Sequence, residues 1–170
     1  MKIVPIFAKK LYSFCYNEEY ESELERLLDC WTDITYLFNF LEENKSDLGS
    51  RTISEMTIDI LEDVDYIEER LIQLCRVDNE NLDFFFKSLY NQEYQFIPLS
   101  KQKGRKDYLR LYAIRIDCNC YVITGGAIKL TRIMEERSHT LLELQKLENA
   151  RLYFKMHGVF DSDSFNEFIY

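Results

Sequence analysis

The sequence predicts an α+β fold: a small, mostly antiparallel sheet packed by a long N-terminal helix and a C-terminal helix, with an inserted acidic helical segment. Two observations predict it. In residues 18–43 and 52–76, apolar residues recur at three- and four-residue steps, the period of a one-sided helix. In residues 108–117 and 120–128, two runs rich in β-branched and aromatic residues flank a two-residue turn. At 170 residues and 46% hydrophobic content, the chain suffices for one domain with a real core.

The elements follow in order. Ile3 to Tyr16 carries both a helical face (Phe7, Leu11, Phe14) and strand-forming residues; a strand is expected over Ile3 to Ala8. Glu18 to Glu43 reads as one helix, with Tyr20, Leu24, Leu27, Leu28, Trp31, Ile34, Phe38 and Leu41 on its stripe. Glu18, Glu19 and Glu21 in its first turn oppose the positive end of the helix dipole. Asn44 to Arg51 is the connection to a second helix, Thr52 to Arg76. That helix has Ile53, Met56, Ile60, Val64, Ile67, Leu71 and Leu74 inside and Glu62, Asp63, Asp65, Glu68 and Glu69 on its outer face. Asp78 or Asn79 can cap a short third helix holding Leu82, Phe85, Phe86 and Leu89.

After Tyr90 the pattern changes. Tyr94 to Leu99 reads as a strand and Ser100 to Asp107 as a basic loop. Tyr108 to Asp117 and Cys120 to Ile128 are the strongest strands, joined at Cys118-Asn119, because asparagine tolerates the left-handed backbone of a tight turn. Tyr112, Ile114 and Ile116 share one face; Leu111 and Ala113, with Val122 opposite, share the other, so the hairpin is expected to be central. Gly125-Gly126 marks a bulge or a close approach to the backbone. Thr140-x-x-Glu143 has the spacing of a capping box for a helix carrying Leu144, Leu147, Ala150 and Phe154. Gly158 suits its C-terminal cap, and Asp161 or Ser162 can start a last helical turn with Phe165 and Phe168.

Composition narrows the function classes. No apolar run approaches the length of a bilayer crossing, and the opening MKIVPIFAKK is too soon interrupted by charge to be a secretory signal, so a cytoplasmic protein is expected. The cysteines (Cys15, Cys30, Cys75, Cys118, Cys120) lack C-x-x-C spacing and only His139 and His157 could join them. Neither a metal site nor a cofactor is therefore expected. There is no G-x-S-x-G, P-loop, dinucleotide fingerprint or H-E-x-x-H.

The net charge of −9 hides a segregation. Residues 1–96 carry 9 Lys/Arg against 21 Asp/Glu, whereas residues 97–137 carry 9 against 4. Lys101, Lys103, Arg105, Lys106, Arg110, Arg115, Lys129, Arg132 and Arg137 are interleaved with Tyr108, Tyr112 and Tyr121. Cations neutralise phosphates and aromatics stack on unpaired bases. RNA cleavage by its own 2′-OH needs a base, a cation beside the developing charge and an acid for the leaving oxygen, which Lys, Arg, Tyr and His can supply.

The residues Leu109-Arg110-Leu111-Tyr112, then Gly126-Ala127-Ile128-Lys129-Leu130-Thr131, then Thr140-Leu141-Leu142-Glu143-Leu144 resemble the RelE/ParE toxin superfamily, in its HigB-like, phage-associated branch. The resemblance covers about a third of the chain, in its C-terminal half. It implies a single domain over 1–170, with a RelE/HigB-like core of 1–44 and 92–157 and an acidic helical insertion at about 50–90. It implies a metal-independent endoribonuclease acting on ribosome-bound mRNA, partnered by a small helix-turn-helix antitoxin. Arg110, Lys129 and Arg132 are then the candidate phosphate and transition-state contacts, with Tyr112 or His139 as acid or base; Lys101, Lys103, Arg105, Lys106 and Arg115 are candidate nucleic-acid contacts. The chain departs from the pattern at Leu130, where the family has a second lysine, in lacking the helix-opening proline, and in its acidity. The other expectation is a non-catalytic interaction protein on the same scaffold, binding a protein partner through its acidic helices.

Overall fold

The computed structural model describes residues 1–7, 9–89, 97–130 and 138–170. Among them, six strands form one sheet in the order β1-β2-β6-β5-β4-β3. The strands are β1 (Lys2–Phe7), β2 (Leu11–Cys15), β3 (Lys87–Ser88), β4 (Lys101–Arg105), β5 (Leu109–Asp117) and β6 (Cys120–Ile128). All pairs are antiparallel except β2 with β6, which run parallel with Leu11 beside Tyr121 and Ser13 beside Ile123. The helices are α1 (Glu23–Thr32), α2 (Ile34–Glu43), α3 (Ile53–Arg76), α4 (Ser138–Met156) and α5 (Ser162–Ile169).

The sheet separates two cores. Leu24, Leu27 and Trp31 of α1, Leu37 and Leu41 of α2, and the stripe of α3 pack with Leu109, Leu111, Ala113, Tyr121 and Ile123 on one face. Leu147, Ala150 and Phe154 of α4 and Phe165 of α5 pack with Tyr12, Phe14, Tyr112, Ile114, Ile116 and Val122 on the other. Both faces of β5 and β6 are therefore buried, the condition under which strands lose their polar alternation. Val122 belongs with Tyr112, not with Leu111. Between Tyr112 and Ala113 the ladder shifts by one residue, leaving Thr124 unpaired, so β6 changes phase there.

The hairpin turn has Asn119 at φ +56°, and its side-chain Oδ1 also accepts from Leu82 N–H at 2.8 Å. The single long N-terminal helix is in fact two. Asp33 is extended, and its carboxylate accepts from the N–H groups of Thr35 and Tyr36, capping α2. The stripe restarts there: Leu37 and Leu41 are fully buried, whereas Ile34 and Phe38 are exposed. α3 matches its expected span, opened by a reciprocal Thr52–Glu55 capping box. Asp63, expected on its outer face, points inward and accepts from Tyr108 N–H at 2.6 Å.

The expected third helix is only a 3-10 turn (Leu82–Phe84) capped by Asn81, followed by β3. Of the expected strand over Tyr94–Leu99, 94–96 lie outside the described residues, and 97–99 form a turn instead of a strand. Ser100 to Asp107 is not a loop but contains β4, whose Gly104 lies against the Phe85 ring. Thr140 lies inside α4 rather than at its cap. α4 ends at Met156, with Gly158 in the left-handed conformation (φ +73°) just beyond it, and Asp161 caps α5.

Candidate functional site

The register of β4 on β5 decides where the basic residues go. Lys101 stands opposite Ile114, Lys103 opposite Tyr112, and Arg105 opposite Arg110. Directly paired residues share a face. Because Tyr112 and Ile114 belong to the α4–α5 side, these four cations lie on that side of the sheet. The intervening Gln102 and Gly104 oppose Ala113 and Leu111 on the acidic-helix side. Lys101 forms an ion pair with Glu148 of α4 at 3.0 Å, and Lys103 donates to Leu89 O at 3.3 Å. Arg110 is half-buried. Its Nη1 donates to the carbonyls of Asp107 (3.3 Å) and Leu109 (2.8 Å), and burial, then the neighbouring Arg105, presses its pKa below the usual arginine value.

The remaining predicted residues sit elsewhere. Arg115 points to the opposite face, 4% exposed, with its Nε 3.6 Å from Asp83, which also accepts from the Tyr121 hydroxyl. Lys106 turns towards α3, with its ammonium 5.0 Å from the Tyr66 ring centroid. Tyr112 is 4% exposed and packs in the α4–α5 core. Lys129 continues the β6 ladder through its backbone N–H, donated to Tyr108 O. Arg132 and Arg137 lie outside the described residues. His139 is separate again, its Nε2 3.4 Å from Ile128 O and its ring edge-on to Phe40.

Around His139 is a group of residues that sequence reading did not assemble. β2 pairs with β6 only as far as Ser13 and Ile123, so the later part of β6 loses its neighbour. The gap is filled by charged side chains. Glu143 of α4 accepts from Gly126 N–H at 3.1 Å, and the Tyr16 hydroxyl donates to Thr124 O at 2.8 Å. Glu23, 3% exposed, accepts two bonds from Arg26 (2.9 and 2.8 Å) and a further one from Lys146. The Lys146 ammonium also lies 4.5 Å from the Tyr16 ring centroid.

The double glycine explains this approach. A Cβ at Gly125 would stand 1.8 Å from Glu143 Oε2, and one at Gly126 would stand 2.7 Å from both the Trp31 ring and Arg110 O. The expected close contact to the backbone is made by the chain's own side chains. Burial raises the pKa of Glu143 against the attraction of Lys146, and the hydrogen bond to Glu23 holds Arg26 above its usual value against burial. The sequence pointed to a close approach at Gly125-Gly126 but not to what makes it, because the members come from the residue after β2, from α1, β6 and α4.

Beside the cluster is a cavity of about 190 Å³, bordered by Arg26, Trp31, Tyr36, Phe40, His139 and Glu143. A wider cleft of about 680 Å³ between β1 and α1 is lined by Glu21, Glu25, Asp29 and Glu68 against one cation, Lys2, a net negative lining that disfavours phosphate. Among the described residues no three His, Cys, Asp or Glu side chains are grouped to hold a metal ion. The cysteines are free thiols, and burial raises Cys75 to about 11 and Cys120 to about 12. Among the described residues no helix is long and apolar enough to cross a membrane.

Comparison with known proteins adds no relative: no family model, curated protein or solved structure matches the chain.

Proposed function

We propose that this protein is a RelE/HigB-like toxin that acts on mRNA as an endoribonuclease in the cytoplasm, restrained by a small helix-turn-helix antitoxin. One observation supports the reading above the others. The β4–β5 register puts Lys101, Lys103, Arg105 and Arg110 on the side of the sheet away from acidic α3. An acidic protein repels RNA unless its charge is divided in this way. Arg110, Lys129 and Arg132 would supply positive charge to the phosphate as it gains charge in the transition state. Tyr112, 4% exposed within the α4–α5 core, suits packing better than proton transfer.

A second reading, a non-catalytic interaction protein, is favoured by the pairing of Lys101 with Glu148 and of Arg115 with Asp83, which engages basic residues within the molecule. Induced expression separates the two. Growth arrest with mRNA cleavage is expected for the wild type, with loss in Lys103→Glu/Arg105→Glu and retention in Lys45→Glu/Arg70→Glu on the other layer. Harmless expression of folded wild type would remove the toxin reading.

A further inference from the structure

We propose that the cavity beside Glu143 takes one unpaired nucleobase, guanine foremost, from single-stranded RNA; this rests on the RNA-directed reading above and names its substrate feature. Three properties of the cavity carry it.

The first is size. Pockets for drug-sized ligands occupy roughly 300–1,000 Å³. At about 190 Å³ this one suits a single ring system and not a whole nucleotide.

The second is the walls. Tyr36 and Phe40, one helical turn apart on α2, are nearly parallel (14°), with centroids 6.4 Å apart. His139 meets Phe40 edge-on at 5.5 Å, and Trp31 closes the inner side. Splayed-out bases are held by stacking on aromatic faces, with hydrogen bonds to their edges.

The third is the polar pair. Arg26 commits Nε and Nη2 to Glu23, while its Nη1 meets, among the described residues, the Cys30 thiol at 3.8 Å. Glu143 holds Gly126 N–H through Oε2, and its Oε1 lies 3.6 Å from Lys146, leaving acceptor capacity. One guanidinium donor and one carboxylate acceptor thus border the same small space. Guanine offers N1–H and N2–H side by side to a carboxylate and O6 and N7 to a guanidinium; uracil has a single ring N–H donor.

The cavity opens where β6 loses its neighbour, and one of its residues reaches the strand that carries Arg110. Ala127 lines it and pairs with Arg110 across the β5–β6 ladder. A nucleotide whose base entered here would carry its phosphate towards the basic strands.

Trp31 is the single tryptophan of the chain, so its indole N–H gives one unambiguous side-chain cross-peak from a residue that lines this cavity. The full-length protein is titrated with GMP, AMP, CMP and UMP at millimolar concentration. A saturating shift with GMP, weaker with UMP, is expected. Tyr36→Ala, at a position already 41% exposed, should weaken GMP by about fivefold or more, and Glu143→Gln should narrow the preference for GMP over UMP. An unmoved cross-peak with all four nucleotides, or equal GMP affinity in Tyr36→Ala, overturns the proposal. Growth arrest by a wild type whose cross-peak ignores nucleotides would sink the cavity and leave the toxin reading standing; a GMP shift in a harmless wild type would do the reverse.

Discussion

Arg115 tests whether the sheet sorts the basic residues by face. Its guanidinium is buried against the Asp83 carboxylate at 3.6 Å, with side-chain exposures of 4% and 12%. Asp83→Leu would remove the carboxylate facing that cation and the acceptor of the Tyr121 hydroxyl. Breaking a buried pair costs about 3–5 kcal/mol, and because Arg115 keeps other polar contact the lower end, about 3 kcal/mol, is expected. Replacing both members, Asp83→Leu with Arg115→Met, removes the cation and the carboxylate together, along with the Tyr121 hydroxyl and Cys118 thiol contacts to Asp83. The double variant should lie within about 1–2 kcal/mol of the wild type. Urea unfolding monitored by circular dichroism measures the wild type, Asp83→Leu, Arg115→Met and the double variant, provided the slope with urea stays constant. RNA affinity of the double variant should match the wild type. A single variant within about 0.5 kcal/mol of the wild type, or costs that simply add, would refute the buried pair.

Three further outcomes are expected. Gly104→Ala puts a Cβ 1.9 Å from the Phe85 ring, so it should lose about 1–3 kcal/mol in urea unfolding, partly restored by Phe85→Leu; an unchanged midpoint would mean that β4 is in another register. Asp33→Ala removes the α2 cap and should cost about 1 kcal/mol, with a small loss of helix signal; no change would argue for a continuous helix. Glu143 has a raised folded-state pKa, so its contribution to stability is complete below its ordinary value of 4.5 and is lost as pH rises through the folded value. The melting temperature of the wild type relative to Glu143→Gln should therefore fall as pH is raised from 4.5; a difference that stays flat or grows would contradict the burial of the carboxyl.

Much of the architecture was legible because the signals were local. The α3 stripe, the hairpin with Asn119 at its turn, and Gly158 at the end of α4 each depend on residues close in sequence. The break at Asp33 was not, because the three- and four-residue steps continue through it while the capping side chain ends the first helix. β4 read as a loop, since Lys, Gln and Gly are poor strand formers; pairing with β5 and the Phe85 ring over Gly104 override that preference. For the candidate site, the basic residues were visible but their distribution over two faces was not. The register of β4 on β5 brought Lys101, Lys103 and Arg105 to the face of Arg110, whereas Arg115, five residues further along β5, faces the other way. The cluster of Glu23, Arg26, Glu143 and Lys146 is a long-range meeting of two helices at a gap between parallel strands.

The division of charge across the sheet is tested most directly by the salt dependence of binding to a labelled oligoribonucleotide. Each lost phosphate contact lowers the slope of log affinity against log salt by roughly 0.7 for a single strand. Lys103→Glu/Arg105→Glu should weaken binding and flatten that slope by one to two contacts, while Lys45→Glu/Arg70→Glu should leave both unchanged. Equal loss in the two double variants, or a wild-type affinity that does not respond to salt, would contradict the account.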